Sequence, residues 1–214
     1  MDRRKAINIT ARWAIAILGT FISGIGAVLF ITANNGVDPI SVFSQGLSNK
    51  IGLPLGTCSQ LASVVVVLIM LVLNRKLLKL GTVVSVFGVG MSINLIMSVC
   101  VPSFNSPYTA ALATILGAFL LGFGIAIVIF VDIGIGPFEA LMIHFSDLTG
   151  ISMKFVRIVI DLSLTTAGFL MGGIIGWGSV IGVLGLGPII EYSLRFITFI
   201  VKFFRAKRKG EATS

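Results

Sequence analysis

Two stretches decide the fold: GTFISGIGAVLFITANNGVDP at residues 19–39 and GAFLLGFGIAIVIFVDIGIGP at residues 117–137. Laid over each other, they pair Gly19 with Gly117, Phe21 with Phe119, Gly24 with Gly122, Gly26 with Gly124, Ile31 with Ile129, Gly36 with Gly134 and Pro39 with Pro137. The match runs on through Ser48 and Ser146 to Gly52 and Gly150. A second block, GTVVSVFGVG at residues 81–90, aligns with GSVIGVLGLG at residues 178–187. Self-similarity of this reach marks one structural unit used twice.

The unit is a membrane one. The chain has 214 residues, 56% of them hydrophobic and 11% charged, with a mean hydropathy of +1.07. A hydrocarbon core of about 30 Å takes roughly 20 helical residues per crossing. Apolar runs bounded by charge, Gly or Pro predict six spans, over residues 11–33, 56–73, 80–101, 108–131, 153–172 and 177–201. Little chain is left for a soluble catalytic domain. The first run follows Arg3, Arg4 and Lys5, but it is longer than a secretory core and no small-residue cleavage site follows, so it is expected to stay as a helix. One histidine, His144, and two cysteines, Cys58 and Cys100, are too few for a haem, a zinc cluster or an iron–sulfur centre. Neither a cofactor, a metal nor an enzymatic activity is expected.

The formal charge of +8 would suggest nucleic acid on a soluble protein; here it reads as topology, with the lipid bilayer as partner. Basic residues cluster at the N-terminus (Arg3, Arg4, Lys5, Arg12), between spans two and three (Arg75, Lys76, Lys79), between spans four and five (Lys154, Arg157) and in the tail beyond residue 201. These are alternate connections, which places both termini in the cytoplasm. The chain is then one transmembrane domain, residues 1–214, with a first repeat at 11–101, a second at 108–201 and a basic cytoplasmic tail at 202–214. Three spans per repeat, an odd number, force the second copy to enter from the opposite side. The predicted fold is all-α: two inverted three-helix repeats, an architecture that secondary transporters use to alternate around a central site.

After the first span of each repeat the pattern breaks. Gly36 and Gly134 supply permissive backbone, Gly136 adds a second in the later copy, and Pro39 and Pro137 suit the first turn of a helix. About ten residues of mixed polarity follow, predicting a short helix that is either re-entrant or interfacial. Asp38 is a candidate N-cap. If such a helix re-enters, its N-terminus is an anion-binding place, although Asp38 and Glu139 would oppose an anion and suit a cation or proton.

Ionisable groups inside spans are costly and need a partner, an aqueous path or a function. Arg157 and Asp161 stand four apart on one helical face, as do Glu191 and Arg195. The repeat sets Asp161 over Ser63, Arg157 over Ser59, Glu191 over Asn94, Asp132 over Asn34 and Glu139 over Ser41, each partner polar in an apolar setting. The expected binding residues are therefore Asp161, Arg157, Glu191 and Asn94 lining a central cavity, with Asn34, Asp38, Asp132 and Glu139 at the broken elements.

The glycine-spaced first helix leading to ANNGVDP, the RK before Gly81 and Thr82, GIGPFEAL, VRIVID at residues 156–161 and GWGSVIGVLGLGP together resemble the YitT/YczE-type bacterial membrane proteins along nearly the whole chain. The resemblance implies a multi-pass inner-membrane protein with a transport role, and carries over no catalytic residue or substrate. The expectation is a carrier of a small solute or ion, with a homo-oligomer as an open possibility. The alternatives from other classes are a substrate-capturing subunit of a multi-component importer and a membrane scaffold or biosynthetic accessory protein.

Overall fold

The computed structural model describes the backbone of residues 8–211 and side chains through residue 203. Among the described residues there is helix and no strand. The elements are α1 (Ile9–Thr32), α2 (Pro39–Ile51), α3 (Leu55–Asn74), α4 (Leu80–Val99), α5 (Pro107–Val131), α6 (Pro137–Thr149), α7 (Met153–Leu170), α8 (Trp177–Val180) and α9 (Leu186–Glu211). A 3₁₀ turn, Arg75–Leu77, extends α3, and a π-helical turn, Ile181–Gly185, joins α8 to α9.

Among the described residues, five stretches are long and apolar enough to cross a bilayer: Ile9–Thr32, Leu55–Leu77, Leu80–Val99, Pro107–Val131 and Trp177–Phe203. The expected sixth, α7, is not among them, because its 18 residues carry Lys154, Arg157 and Asp161. Beyond the exposed Lys154 of its first turn, its charge lies on one side. Val156, Asp161 and Thr165 are buried, while Phe155, Val159, Leu162 and Phe169 are exposed. The three charges set α7 apart from the five, although the deepest of them, Asp161, is buried and the apolar residues face outward.

α1 and α5 form the centre and run antiparallel. Gly19 abuts Gly124, and Gly26 abuts Gly117 and Leu121, so closely that a Cβ at any of these four glycines would press into the facing helix. Small residues let two helices approach to backbone contact, which is how helices associate where lipid offers no hydrophobic drive. The crossing is reciprocal: Gly19 meets the counterpart of Gly26, and Gly26 meets the counterpart of Gly19. At its middle, Ser23 Oγ donates to the Leu121 carbonyl at 3.3 Å, 98 residues away. Ala27, Val28, Phe30, Val37, Val42, Ile93 and Leu121 pack around this crossing.

Polar contacts recur in pairs. Gly178 N donates to the Asn35 carbonyl at 2.8 Å, and Gly81 N to the Ile133 carbonyl at 3.1 Å. The start of each half's last helix is thus tied to the break in the other half. Lys79 N donates to Thr82 Oγ1 and Gly176 N to Ser179 Oγ, capping α4 and α8 alike. The breaks begin at left-handed residues, Asn34 (φ 55) and Asp132 (φ 50), a conformation that asparagine and aspartate tolerate better than other side chains. The short helices α2 and α6 both end at left-handed glycines, Gly52 and Gly150.

Candidate functional site

Both short helices start in the interior and end at the surface. In α2, Pro39, Ser41, Val42, Ser44, Gln45 and Gly46 are buried; in α6, Pro137, Phe138, Ala140 and Met142 are. Asn49, Ile51, Leu148 and Thr149 at the far ends are exposed. Asp38 caps α2, its Oδ2 accepting from Ser41 N at 3.2 Å. On α6 the N-cap is Gly136, and the carboxylate of Glu139 folds back against it.

The two N-termini open onto one cavity of roughly 120 Å³, room for several waters or a small solute. Its charged lining is Asp38, Glu139, Arg157 and Asp161. The counterparts Ser41, Ser59 and Ser63 line it too, so three pairs of matched positions converge on one space. Thr20 and Ser23 from the middle of α1 place the cavity at mid-helix depth. Aliphatic side chains of α1, α4 and α5 form the facing wall.

The charges are incompletely satisfied. Arg157 Nε lies 3.4 Å from Asp161 Oδ2, with side chains 16% and 4% exposed, but without hydrogen-bond geometry. Asp38 Oδ1, Asp161 Oδ2 and Arg157 Nε are all buried without a hydrogen-bond partner. Each such group costs about 1–3 kcal/mol, and more when charged. Three carboxylates facing one guanidinium are suited to holding a polar or charged guest rather than to supporting the fold.

Residues 10–195 match a family of unknown function, DUF6198. The chain belongs to this family. It is similar to the uncharacterized membrane protein YczE of Bacillus subtilis, 26% identical over 202 residues, covering 94% of each chain. An uncharacterized protein of Haemophilus influenzae is 27% identical over 184 residues, covering 86% of this chain and 84% of its own. YyaS of Bacillus subtilis, also uncharacterized, is 26% identical over 194 residues, covering 90% and 95%. No solved structure matches the chain.

In this DUF6198 member the other four expected binding residues lie away from the cavity. Asn34 is exposed at its left-handed turn. Asp132 pairs with Lys79 Nζ at 2.8 Å where α5 ends. Asn94 and Glu191, expected in the lining, are corrected. The Asn94 amide accepts from Gly56 N at 2.9 Å and donates to Thr57 Oγ1 at 3.0 Å, occupied by the unsatisfied start of α3. Glu191 faces outward on α9 with Arg195 at 2.6 Å.

Arg12 has a role that charge counting did not reveal. It is buried, and its Nε donates to the Val131 carbonyl at 2.7 Å, with a second guanidinium nitrogen on the same oxygen, fastening the start of α1 to the end of α5. Its place one residue inside the first predicted span was the available signal. The aliphatic wall carried no signal, because in a membrane sequence apolar residues are everywhere.

Proposed function

We propose that the protein is a secondary carrier, not an enzyme, moving a small solute or ion across the bacterial inner membrane by alternating access between two inverted halves. The observation that carries this reading is the convergence of matched positions, Ser41 with Glu139, Ser59 with Arg157 and Ser63 with Asp161, on one mid-helix cavity holding unsatisfied charge. Half-helices whose N-termini meet at the middle of the bundle are the recurring way such carriers build a site. In this reading α7 is the sixth crossing, its charges turned inward and its apolar face toward lipid, and the alternate placement of basic residues puts both termini in the cytoplasm. The reciprocal α1–α5 crossing and the paired ties Gly178–Asn35 and Gly81–Ile133 support two-fold equivalence of the halves, which alternation requires.

The test needs no known solute. In a background with Cys58→Ala and Cys100→Ser, a single Ser63→Cys is treated with a membrane-impermeant thiol reagent in right-side-out and in inverted vesicles. A carrier exposes its central site to each side in turn, so labelling proceeds from both. Labelling from one side only, or from neither, overturns the reading.

A further inference from the structure

The cavity is two-sided. Its charges come from the α2 cap and from α6 and α7, whereas α1, α4 and α5 contribute no charge: Ala27, Val86, Val89, Ile93, Leu121 and Ile125 form a mainly aliphatic wall, to which Thr20, Ser23 and Ser85 add hydroxyls. Three carboxylates against one guanidinium leave a formal excess of two negative charges if all are ionised. Asp38 and Asp161 are 5% and 3% exposed, and each presents an oxygen without a hydrogen-bond partner. The positive ends of α2 and α6 do not offset this toward an anion. Asp38 takes Ser41 N and the Glu139 carboxylate lies over Gly136, so the chain's own acids occupy both helix starts. Among the described residues no three acidic, His or Cys side chains converge as a metal shell, and a divalent cation needs six or more oxygens around it.

We propose that the cavity binds a small organic cation, a protonated amine whose ammonium group donates to Asp38 Oδ1 and Asp161 Oδ2 and whose alkyl part lies on the aliphatic wall. An ammonium has three donors and no acceptor, which suits oxygens that accept no hydrogen bond from the protein, Asp161 Oδ2 having only Arg157 Nε at 3.4 Å. The one-sided polarity orients the guest, head to the carboxylates and tail to α1, α4 and α5. A bare monovalent ion would leave the aliphatic part of that wall without a partner. The volume admits a cation of only a few heavy atoms. This inference takes from the carrier reading only that the cavity is the solute's site.

The experiment measures equilibrium binding of radiolabelled ethylammonium to the full chain in lipid nanodiscs, and its uptake into protein-loaded vesicles with protein-free vesicles subtracted. Methyl-, ethyl- and butylammonium, sodium, potassium, butanol and butanoate serve as competitors. Saturable binding displaced by alkylammonium ions, and not by butanol or butanoate, is expected. Asp38→Asn and Asp161→Asn should each weaken it at least about tenfold, the change that 1.4 kcal/mol produces. Ile125→Ala keeps every charge and enlarges the apolar side, so it should move the preference toward the longer alkyl chain, deciding the matter even if an Asp variant fails to fold. Absent ethylammonium binding to folded protein, displacement by sodium or potassium as effective as by alkylammonium, or an unshifted chain-length preference in Ile125→Ala overturns the proposal. Binding without uptake sustains it and overturns the carrier reading; uptake of butanoate or butanol in place of ethylammonium does the reverse.

Discussion

Two arginine–carboxylate pairs share one spacing and differ in everything else. On α7 Asp161 is buried and Arg157 mostly so, 3.4 Å apart and poorly aligned; Arg195 and Glu191 on α9 are 72% and 48% exposed and closely bonded at 2.6 Å. The better-made pair is the one facing outward. Glu191 and Arg195 lie within Trp177–Phe203, a stretch long and apolar enough to cross a bilayer, so facing outward they have only each other as partner and take their best geometry. Buried charges are placed by the helices that carry them, and on α7 they are held where geometry is imperfect and desolvation is costly. Good hydrogen-bond geometry therefore marks the pair that has to satisfy itself, and unsatisfied geometry marks the cavity.

The sharpest way to break this contrast is Arg157→Gln. It leaves Asp38, Glu139 and Asp161 around one cavity with no cation, and should lower stability by about 3 kcal/mol, the scale of stripping one partner from a buried pair. An unchanged unfolding temperature in detergent would show that the cavity solvates its carboxylates as water does. Asp161→Asn should cost less, about 1–2 kcal/mol, because two carboxylates remain to face Arg157. The double change, Arg157→Gln with Asp161→Asn, should recover part of the loss from Arg157→Gln alone. If Asp161→Asn proves the more damaging single change, the charge excess is not negative.

Lys79–Asp132, with side chains 41% and 33% exposed, stands between the extremes. Asp132→Asn should cost no more than about 1 kcal/mol, since asparagine keeps the left-handed conformation that Asn34 adopts in the matched position. A larger loss in a thermal melt would mean that this ion pair, not the turn, holds the end of α5. Smallest of all in its effect on the site, Glu191→Gln should leave alkylammonium binding unaltered. A measurable effect on binding would return Glu191 to the site.

These pairs also show what a sequence can and cannot disclose. The breaks at Gly36–Pro39 and Gly134–Pro137 were legible because backbone conformation is decided within a few residues. The 157/161 and 191/195 pairings were legible for the same reason, as neighbours one turn apart. Which pair faces the cavity was not, because that depends on the rotation of each helix about its axis. In a soluble protein the apolar stripe reports that rotation; here lipid and core are both apolar and the stripe is erased. Asn94 was misplaced because its counterpart Glu191 is charged and suggested a site, whereas its amide is used by the start of α3. The expected sixth span was read from the apolar run at 153–172, and α7 is set apart from the five long apolar stretches by Lys154, Arg157 and Asp161.

The hydrogen bond from Ser23 to its own counterpart, Leu121, has an implication for assembly. A residue that meets its copy lies on the axis relating two equivalent bodies, and an interface built around that axis does not depend on the bodies sharing a polypeptide. The link between them, residues 100–106, forms no helix, and on this view acts as a tether that raises one half's effective concentration near the other. Two coexpressed fragments divided there should recombine into a functional unit, whereas a Val at Gly26 or Gly117, at the surfaces that must meet, should abolish recombination more completely than it damages the uncut chain.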